Sequence, residues 1–230
     1  WPAYDRVQLT KYFELSSATP LLLGTSAWYA ERDIELHTNV RVEAVDLRAR
    51  EVVTDRGERH AFDRLVLATG SLAFVPPVPG IDREGVFVYR TIDDLDAIRA
   101  YASKAKRCAV LGGGLLGLEA ARAVQQCGVE AHVIEMAPRL MPRQIDAIGG
   151  RLLKRAIESM GVSVHVGCGT REVLGDPAVT GLLTSDSELP FDMVVVSEGI
   201  RPRDELARAG GSEVAVPGGI AVDDSLWPQV

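Results

Sequence analysis

Cysteine is scarce and scattered: Cys108, Cys127 and Cys168 are the only three in 230 residues, and no C-x-x-C occurs. That spacing excludes a C-x-x-C redox dithiol and a cysteine-based zinc site, which leaves free thiols in a core. The four histidines, His37, His60, His132 and His165, show no metal-ligand spacing either. Basic runs are also missing. With 25 Lys and Arg against 32 Asp and Glu the net charge is −7, so neither nucleic acid nor an anionic membrane is expected as a partner. The longest uncharged stretch, LVLATGSLAFVPPVPGI at 65–81, is broken by three prolines and two glycines and cannot form a spanning helix. The chain opens on Trp-Pro with no basic-then-apolar leader, and a cytoplasmic protein is the expectation.

What is present points to a packed α/β protein. Hydrophobic residues make up 47% of the chain, enough to bury a core in one large or two small domains. One phrase occurs twice. FDRLVLATG at 62–70 returns as FDMVVVSEG at 191–199, with Phe62, Asp63 and Gly70 each offset by 129 from Phe191, Asp192 and Gly199. Buried strands draw on few residue types, so the match is compatible with chance. Its functional reading is two homologous nucleotide-binding halves.

The segment KRCAVLGGGLLGLEAARAVQQCGVEAHVIEMAPR is the most informative. Its pattern predicts a buried strand at 107–111, an Ala- and Leu-rich helix at 115–127 and a second strand at 130–135. At the strand-to-helix turn, Gly112, Gly114 and Gly117 spell G-x-G-x-x-G, the dinucleotide fingerprint. The first glycine permits the tight turn, the second lets a pyrophosphate approach the backbone, and the third lets helix and sheet pack closely. Free N–H groups and the positive end of the helix dipole then face the phosphates. Glu135, 21 residues beyond Gly114, stands where a carboxylate accepts from the adenosine ribose and repels a 2′-phosphate. NADH is thereby expected over NADPH, unless Arg139 reaches the 2′-phosphate. A glycine-rich packing turn is the plainer alternative.

Downstream, a helix at about 144–160 precedes strand-like VSVHVG, REVLG, AVTGLLT and FDMVVVSEG. Upstream, IELHT, VRVEAVD, EVVTDRGERHAF and RLVLATG follow the same plan. Subtracting the offset from the fingerprint, 112 − 129 = −17, places the first half's own glycine motif ahead of Trp1. The expected organisation is an incomplete FAD-binding domain at 1–88, an NAD-binding domain at 89–207, and at 208–230 the start of a return to the FAD domain.

The phrases YDRVQLTKYF, LVLATGS, VYRTIDDLDAI, VLGGGLLGLEAA, HVIEMAPRLMPRQID and GIRPRDELA resemble, in order and spacing, the FAD-dependent pyridine nucleotide oxidoreductases. Within that family the likeness is strongest to the flavin module of the assimilatory nitrite reductase large subunit. The resemblance covers nearly the whole chain. It implies a Rossmann-like α/β fold with two dinucleotide-binding domains, built as a three-layer ββα arrangement of parallel sheet, β-meander and helices. It also implies hydride transfer from NADH to FAD, with iron–sulfur and sirohaem centres only outside this chain. Arg6 and Lys11 match flavin-lining positions, with Lys11 near the isoalloxazine; Val42 falls where a strand meets the adenine; Ala68, Thr69 and Gly70 match the turn beside FAD. Leu115 and Leu116 stand inside the fingerprint, between Gly114 and Gly117; Glu119 follows it and matches a glutamate beside the nicotinamide, and Gly199 matches the glycine at which the chain leaves the nicotinamide domain. By this resemblance Lys11 and Glu119 are the candidate catalytic residues.

Plainer roles exist for each: Arg6 and Lys11 as solvated charges, Thr69 as a turn hydroxyl, Glu119 as a partnered helix polar group. The rival readings of the whole are a stand-alone ferredoxin or rubredoxin reductase, an NADH oxidase, and a non-catalytic NAD-binding fragment. A downstream electron acceptor is expected, and a homodimer is compatible with the sequence. Only the middle of the three segments that hold FAD in this family is matched, so these residues alone are expected to purify colourless and to lack reductase activity. A stoichiometric flavin absorbance spectrum from the isolated chain would contradict that expectation.

Overall fold

The computed structural model describes residues 1–15 and 17–228. After 3-10 turns at Leu9–Glu14 and Thr19–Leu21 come α1 (Ser26–Ala30), β1 (Val42–Asp46), β2 (Glu51–Thr54), β3 (Arg59–Ala61), β4 (Ser71–Ala73) and β5 (Val86–Val88). The alternating portion follows: α2 (Ile92–Ala102), β6 (Arg107–Leu111), α3 (Leu115–Gln126), β7 (Glu130–Glu135), α4 (Ala147–Ser159) and β8 (Ser163–Val166). Then come β9 (Thr170–Gly175), β10 (Val179–Thr184), β11 (Glu188–Pro190), β12 (Met193–Val196), β13 (Ile200–Pro202) and α5 (Glu205–Ala209). The chain forms two compact units, one made of Trp1–Tyr4, Leu23–Leu72 and the residues from Ile200 onward, the other of Asp5–Leu22 and Ala73–Gly199.

The second unit has three layers. Its centre is a five-stranded parallel sheet in the order β5-β12-β6-β7-β8. On one face lies the antiparallel meander β9-β10-β11, whose Val173, Val179 and Leu182 pack on Ala109, Leu111, Ile134, Val194 and Val196. Side chains alternate along a strand, so Cys108 and Val110 face the other way, toward α2 and α3. Those helices bury Ile92, Leu95 and Ile98 from α2, and Ala120, Ala121 and Val124 from α3. Hydrophobic residues on both faces explain why β6 and β12 read as unbroken apolar runs.

The parallel register fixes which residues share the carboxyl edge of the sheet. Val88, Val196, Leu111, Ile134 and His165 form one row across it. One residue further along the respective strands come Tyr89, Ser197, Gly112 and Glu135. This edge is where open α/β sheets hold their ligands.

The first unit has the antiparallel sheet β1-β2-β3, with α5 packed on β1. The strands expected at 34–38 and 64–70 are absent among the described residues: neither segment takes part in a sheet. The repeated phrase thus has two fates. Val195 is 0% exposed, with β5 and β6 on its two sides, whereas its counterpart Val66 is 84% exposed. A buried parallel strand needs neighbours on both edges, and no described strand lies beside 64–70. We expect Val195→Ala to cost roughly 2–3 kcal/mol, two buried methyl groups plus a cavity. Val66→Ala should stay within about 0.5 kcal/mol. Urea unfolding of the two variants measures the contrast.

Candidate functional site

The three fingerprint glycines are required for three separate reasons. Gly112 has φ +106, and a Cβ on it would lie 2.5 Å from the Ser197 carbonyl oxygen, so the turn at the end of β6 is pressed against the end of β12. A Cβ on Gly117 would lie 1.9 Å from the Gly112 carbonyl oxygen, an impossible contact. The first turn of α3 therefore sits directly on the strand-to-helix turn. At Gly114 a Cβ would meet nothing within 4 Å. Its backbone borders open space.

Helix capping singles out the same place. Thr91 caps α2 through a capping box, and Asp146 caps α4 by accepting from Gly149 N at 2.7 Å. In contrast, α3 starts at Gly114 with no side-chain cap. Its N-terminal N–H groups and dipole are thus presented to the open space beside Gly114, the arrangement an anionic pyrophosphate needs. Leu115 and Leu116 project from this first turn, 58% and 38% exposed.

Glu135 is bound into the turn by both oxygens. Its Oε2 accepts from Gly113 N at 2.7 Å and its Oε1 from Ala137 N at 2.6 Å. Each carboxylate oxygen retains a second lone pair for a hydroxyl donor. Arg139 is directed elsewhere: its Nε and Nη2 donate to the carbonyls of Ile145 and Pro142 at 3.1 and 3.0 Å. Its stem packs on Gly150, so it braces the loop after β7.

Glu198 is the residue that sequence reasoning missed. It follows Ser197 at the end of β12, and a Cβ on Gly112 would come 3.4 Å from its Cα. Although its side chain still reaches solvent, its carboxyl is pushed above the usual range, first by partial desolvation and second by the charge of Glu135. The signal available in the sequence was an acid standing where an apolar strand stops.

The segment carrying Arg6 and Lys11 belongs to this same unit. Buried Tyr89 donates to Thr10 Oγ1 at 3.1 Å, Tyr12 donates to Asp96 Oδ1 at 2.6 Å, and Arg99 Nη2 donates to the Tyr12 carbonyl at 2.5 Å. The Arg99 guanidinium also lies over the Tyr12 ring, 4.5 Å from its centre. Leu9–Glu14 is thereby fastened to α2 and the end of β5. Lys11 itself is exposed, and its Nζ donates to Gln8 Oε1 at 2.6 Å. Burial, chiefly, and secondarily the charge of Glu119 push the Tyr89 hydroxyl up to about 12 despite its bond to Thr10, so it keeps its proton. Gly199 has φ +119 and ends this unit.

In the first unit Val42 and Thr69 line one cleft of about 740 Å³, with Arg41, Arg203, Glu205 and Leu206. Thr69 Oγ1 donates to the Arg203 carbonyl at 2.5 Å, and Arg203 N donates to the Gly70 carbonyl at 2.9 Å, which ties the Ala68-Thr69-Gly70 turn to the chain after β13. Arg203, Glu205 and Leu206 were legible only as part of the phrase GIRPRDELA.

A model of the pyridine nucleotide-disulphide oxidoreductases matches residues 2–230. The chain belongs to this family. Among curated relatives, it is 48% identical to the nitrite reductase [NAD(P)H] large subunit of Klebsiella oxytoca over 97% of the chain and 24% of the relative. It is 44% identical to the nitrite reductase (NADH) large subunit of Escherichia coli strain K12, over 97% of the chain and 27% of the relative. It thus spans about a quarter of these relatives' length. A solved ferredoxin reductase from Rhodopseudomonas palustris is 30% identical, with a TM-score of 0.91 over 99% of this chain and 56% of that one. Membership of the pyridine nucleotide-disulphide oxidoreductases carries FAD and NAD(P)H binding, and the α/β fold agrees with the expectation from sequence. All three cysteines are free, Cys108 and Cys168 are buried, and burial pushes the Cys108 thiol up.

The two contacts at Gly117 and Gly114 separate structure from binding. Gly117→Ala should destabilise the second unit by about 1–3 kcal/mol, the usual cost of overpacking. Gly114→Ala, placed in open space at φ −79, should leave the melting temperature nearly unchanged. Thermal melts of both variants check this.

Proposed function

We propose that this chain is part of the NADH-oxidising flavin module of a nitrite reductase large subunit, the whole protein passing hydride from NADH to FAD. One observation carries the reading: α3 opens uncapped at Gly114 onto empty space, with Glu135 fixed at the neighbouring strand end. The identities to nitrite reductases support the choice of branch.

The bound nicotinamide and flavin would together supply the chemistry, a hydride transfer, and no side-chain acid or base is required for it. The chain's own residues bind and orient. Gly112 and Gly117 hold the turn, Gly114 admits the pyrophosphate, and the N–H groups at the start of α3 receive its charge. Glu135 accepts from the adenosine ribose, which favours NADH over NADPH. Arg139 is occupied by the carbonyls of its own loop and so is not turned to a 2′-phosphate. Leu115, Leu116, Glu119 and Gly199 border the nicotinamide. Val42, Ala68, Thr69 and Gly70 serve the FAD side, and Arg6 and Lys11 line the isoalloxazine, where Lys11 favours negative charge on the reduced ring. The proposed boundaries are a FAD-binding part at 1–88, an NAD-binding domain at 89–207 and a return to the FAD part from 208. Iron–sulfur and sirohaem centres outside these residues would be the onward electron acceptors, in a cytoplasmic enzyme.

A second reading, a stand-alone ferredoxin reductase, is supported by the likeness to the Rhodopseudomonas palustris structure. Nitrite-dependent NADH oxidation by the whole protein separates the two, since a stand-alone reductase would turn over with ferredoxin and leave nitrite unchanged.

Calorimetric titration tests the dinucleotide assignment. Gly114→Val should abolish measurable NADH binding while leaving the fold intact. Glu135→Ala should lose roughly 1.5–3 kcal/mol of NADH affinity, as a charge-assisted hydrogen bond disappears. The NADH-to-NADPH ratio should fall with it, a change that mere loosening of the loop would not produce. Unchanged affinity in Gly114→Val would refute the assignment.

A further inference from the structure

Two carboxylates flank the phosphate-facing turn. In the strand order β12-β6-β7, the turn at residues 112–114 follows the central strand, Glu198 follows the strand on one side, and Glu135 ends the strand on the other. Ser197 N donates to the Leu111 carbonyl at 2.8 Å and Gly112 N donates to the Ile134 carbonyl at 2.9 Å, so the three strand ends are locked together. A dinucleotide pyrophosphate adds about two negative charges at this place at neutral pH. Three anionic groups would then share one edge.

We propose that Glu198 is a further residue of the dinucleotide crevice, one that binds a proton when the pyrophosphate settles on the turn at 112–114. The inference rests on the dinucleotide reading above and adds to it a proton. Both oxygens of Glu135 are already engaged, accepting from the backbone N–H groups of Gly113 and Ala137. Glu198 has no hydrogen-bond partner of that kind among the described residues, and it already feels the charge of Glu135.

The charges around Glu198 are of both signs. The turn itself offers only glycines, and Tyr89, at the end of β5 on the far side of β12, stays protonated. On α3 the nearest titratable side chain is another acid, Glu119, and Arg122 donates to Gln125 Oε1 at 3.0 Å. Arg139 is engaged with its loop carbonyls, while Arg90 follows Tyr89, Arg143 lies in the loop after β7 and Arg201 stands three residues beyond Glu198.

The sign follows from linkage. Added negative charge raises the proton affinity of Glu198 in the bound state above that in the free state. Binding therefore takes up a proton in the pH interval between the two values, and NADH affinity falls as pH rises through it, by at most about tenfold per pH unit for one proton. Well below the interval the residue is neutral in both states, and well above it is ionised in both.

The test is calorimetry with NADH as the probe, from pH 5 to 8.5, in pairs of buffers with different ionisation enthalpies, on the full chain and on Glu198→Gln and Glu198→Ala. Proton uptake by the parent chain, lost in both variants together with tighter NADH binding at the upper end of the range, is the expected result. Equal uptake in the variants would assign the proton elsewhere and overturn the proposal, as would no uptake by the parent. Absence of NADH binding at every pH would sink the dinucleotide reading itself. Thermal melts confirm that the variants are folded.

Discussion

The contact of Gly117 with the Gly112 carbonyl governs the geometry of the candidate site. Because a Cβ at residue 117 would lie 1.9 Å from that oxygen, α3 can start only where two backbones touch. That closeness brings the helix N-terminus to the edge of the parallel sheet, and it leaves Gly114 as the point where backbone faces open space. The small residues further along α3, Ala120 and Ala121, continue the same close approach and are fully buried. A larger side chain at any of these positions would lift the helix from the sheet and carry its dipole away from the crevice.

Legibility from sequence followed the range of the interactions involved. The strands at Arg107–Leu111 and Glu130–Glu135 and the helix between them were readable to within a residue, because each is set by local periodicity and by glycines with specific steric tasks. Residues 64–70 were misread as a strand for the opposite reason. Their apolar pattern states a preference for burial, but a strand exists only where a neighbour accepts its hydrogen bonds, and that neighbour is not written in the segment itself. The docking of Leu9–Glu14 was equally hidden, since Tyr12–Asp96 and Tyr89–Thr10 join positions 84 and 79 apart in sequence.

The candidate site shows the same division. Glu135 was legible because its distance from the glycines is fixed by one helix and one strand. Arg139, four residues on, was legible as a charge and not as a brace; only the loop conformation shows its guanidinium turned back to the carbonyls of Pro142 and Ile145. Glu198 was illegible because its partner surface comes from strand order. The crossover that places β12 beside β6 puts a residue 86 positions after Gly112 against it, as 198 − 112 shows.

An acidic sheet edge and an anionic ligand are at first sight incompatible. Glu135 escapes the difficulty because its charge is already met by two backbone donors, and those same bonds hold the turn in shape. The α3 N-terminus contributes roughly half a positive charge, short of the pyrophosphate's two negatives. The remaining balance falls on the one carboxylate at the edge that is neither hydrogen-bonded by backbone nor paired with a cation among the described residues. Neutralising it with a proton would remove a repulsion without requiring a new cation, and it would leave both Glu135 oxygens on their backbone donors. Under the proposed reading, tolerance of a pyrophosphate would then reside in the glutamate that follows β12, and the contact with the ribose in the glutamate that ends β7, on the other side of the strand between them.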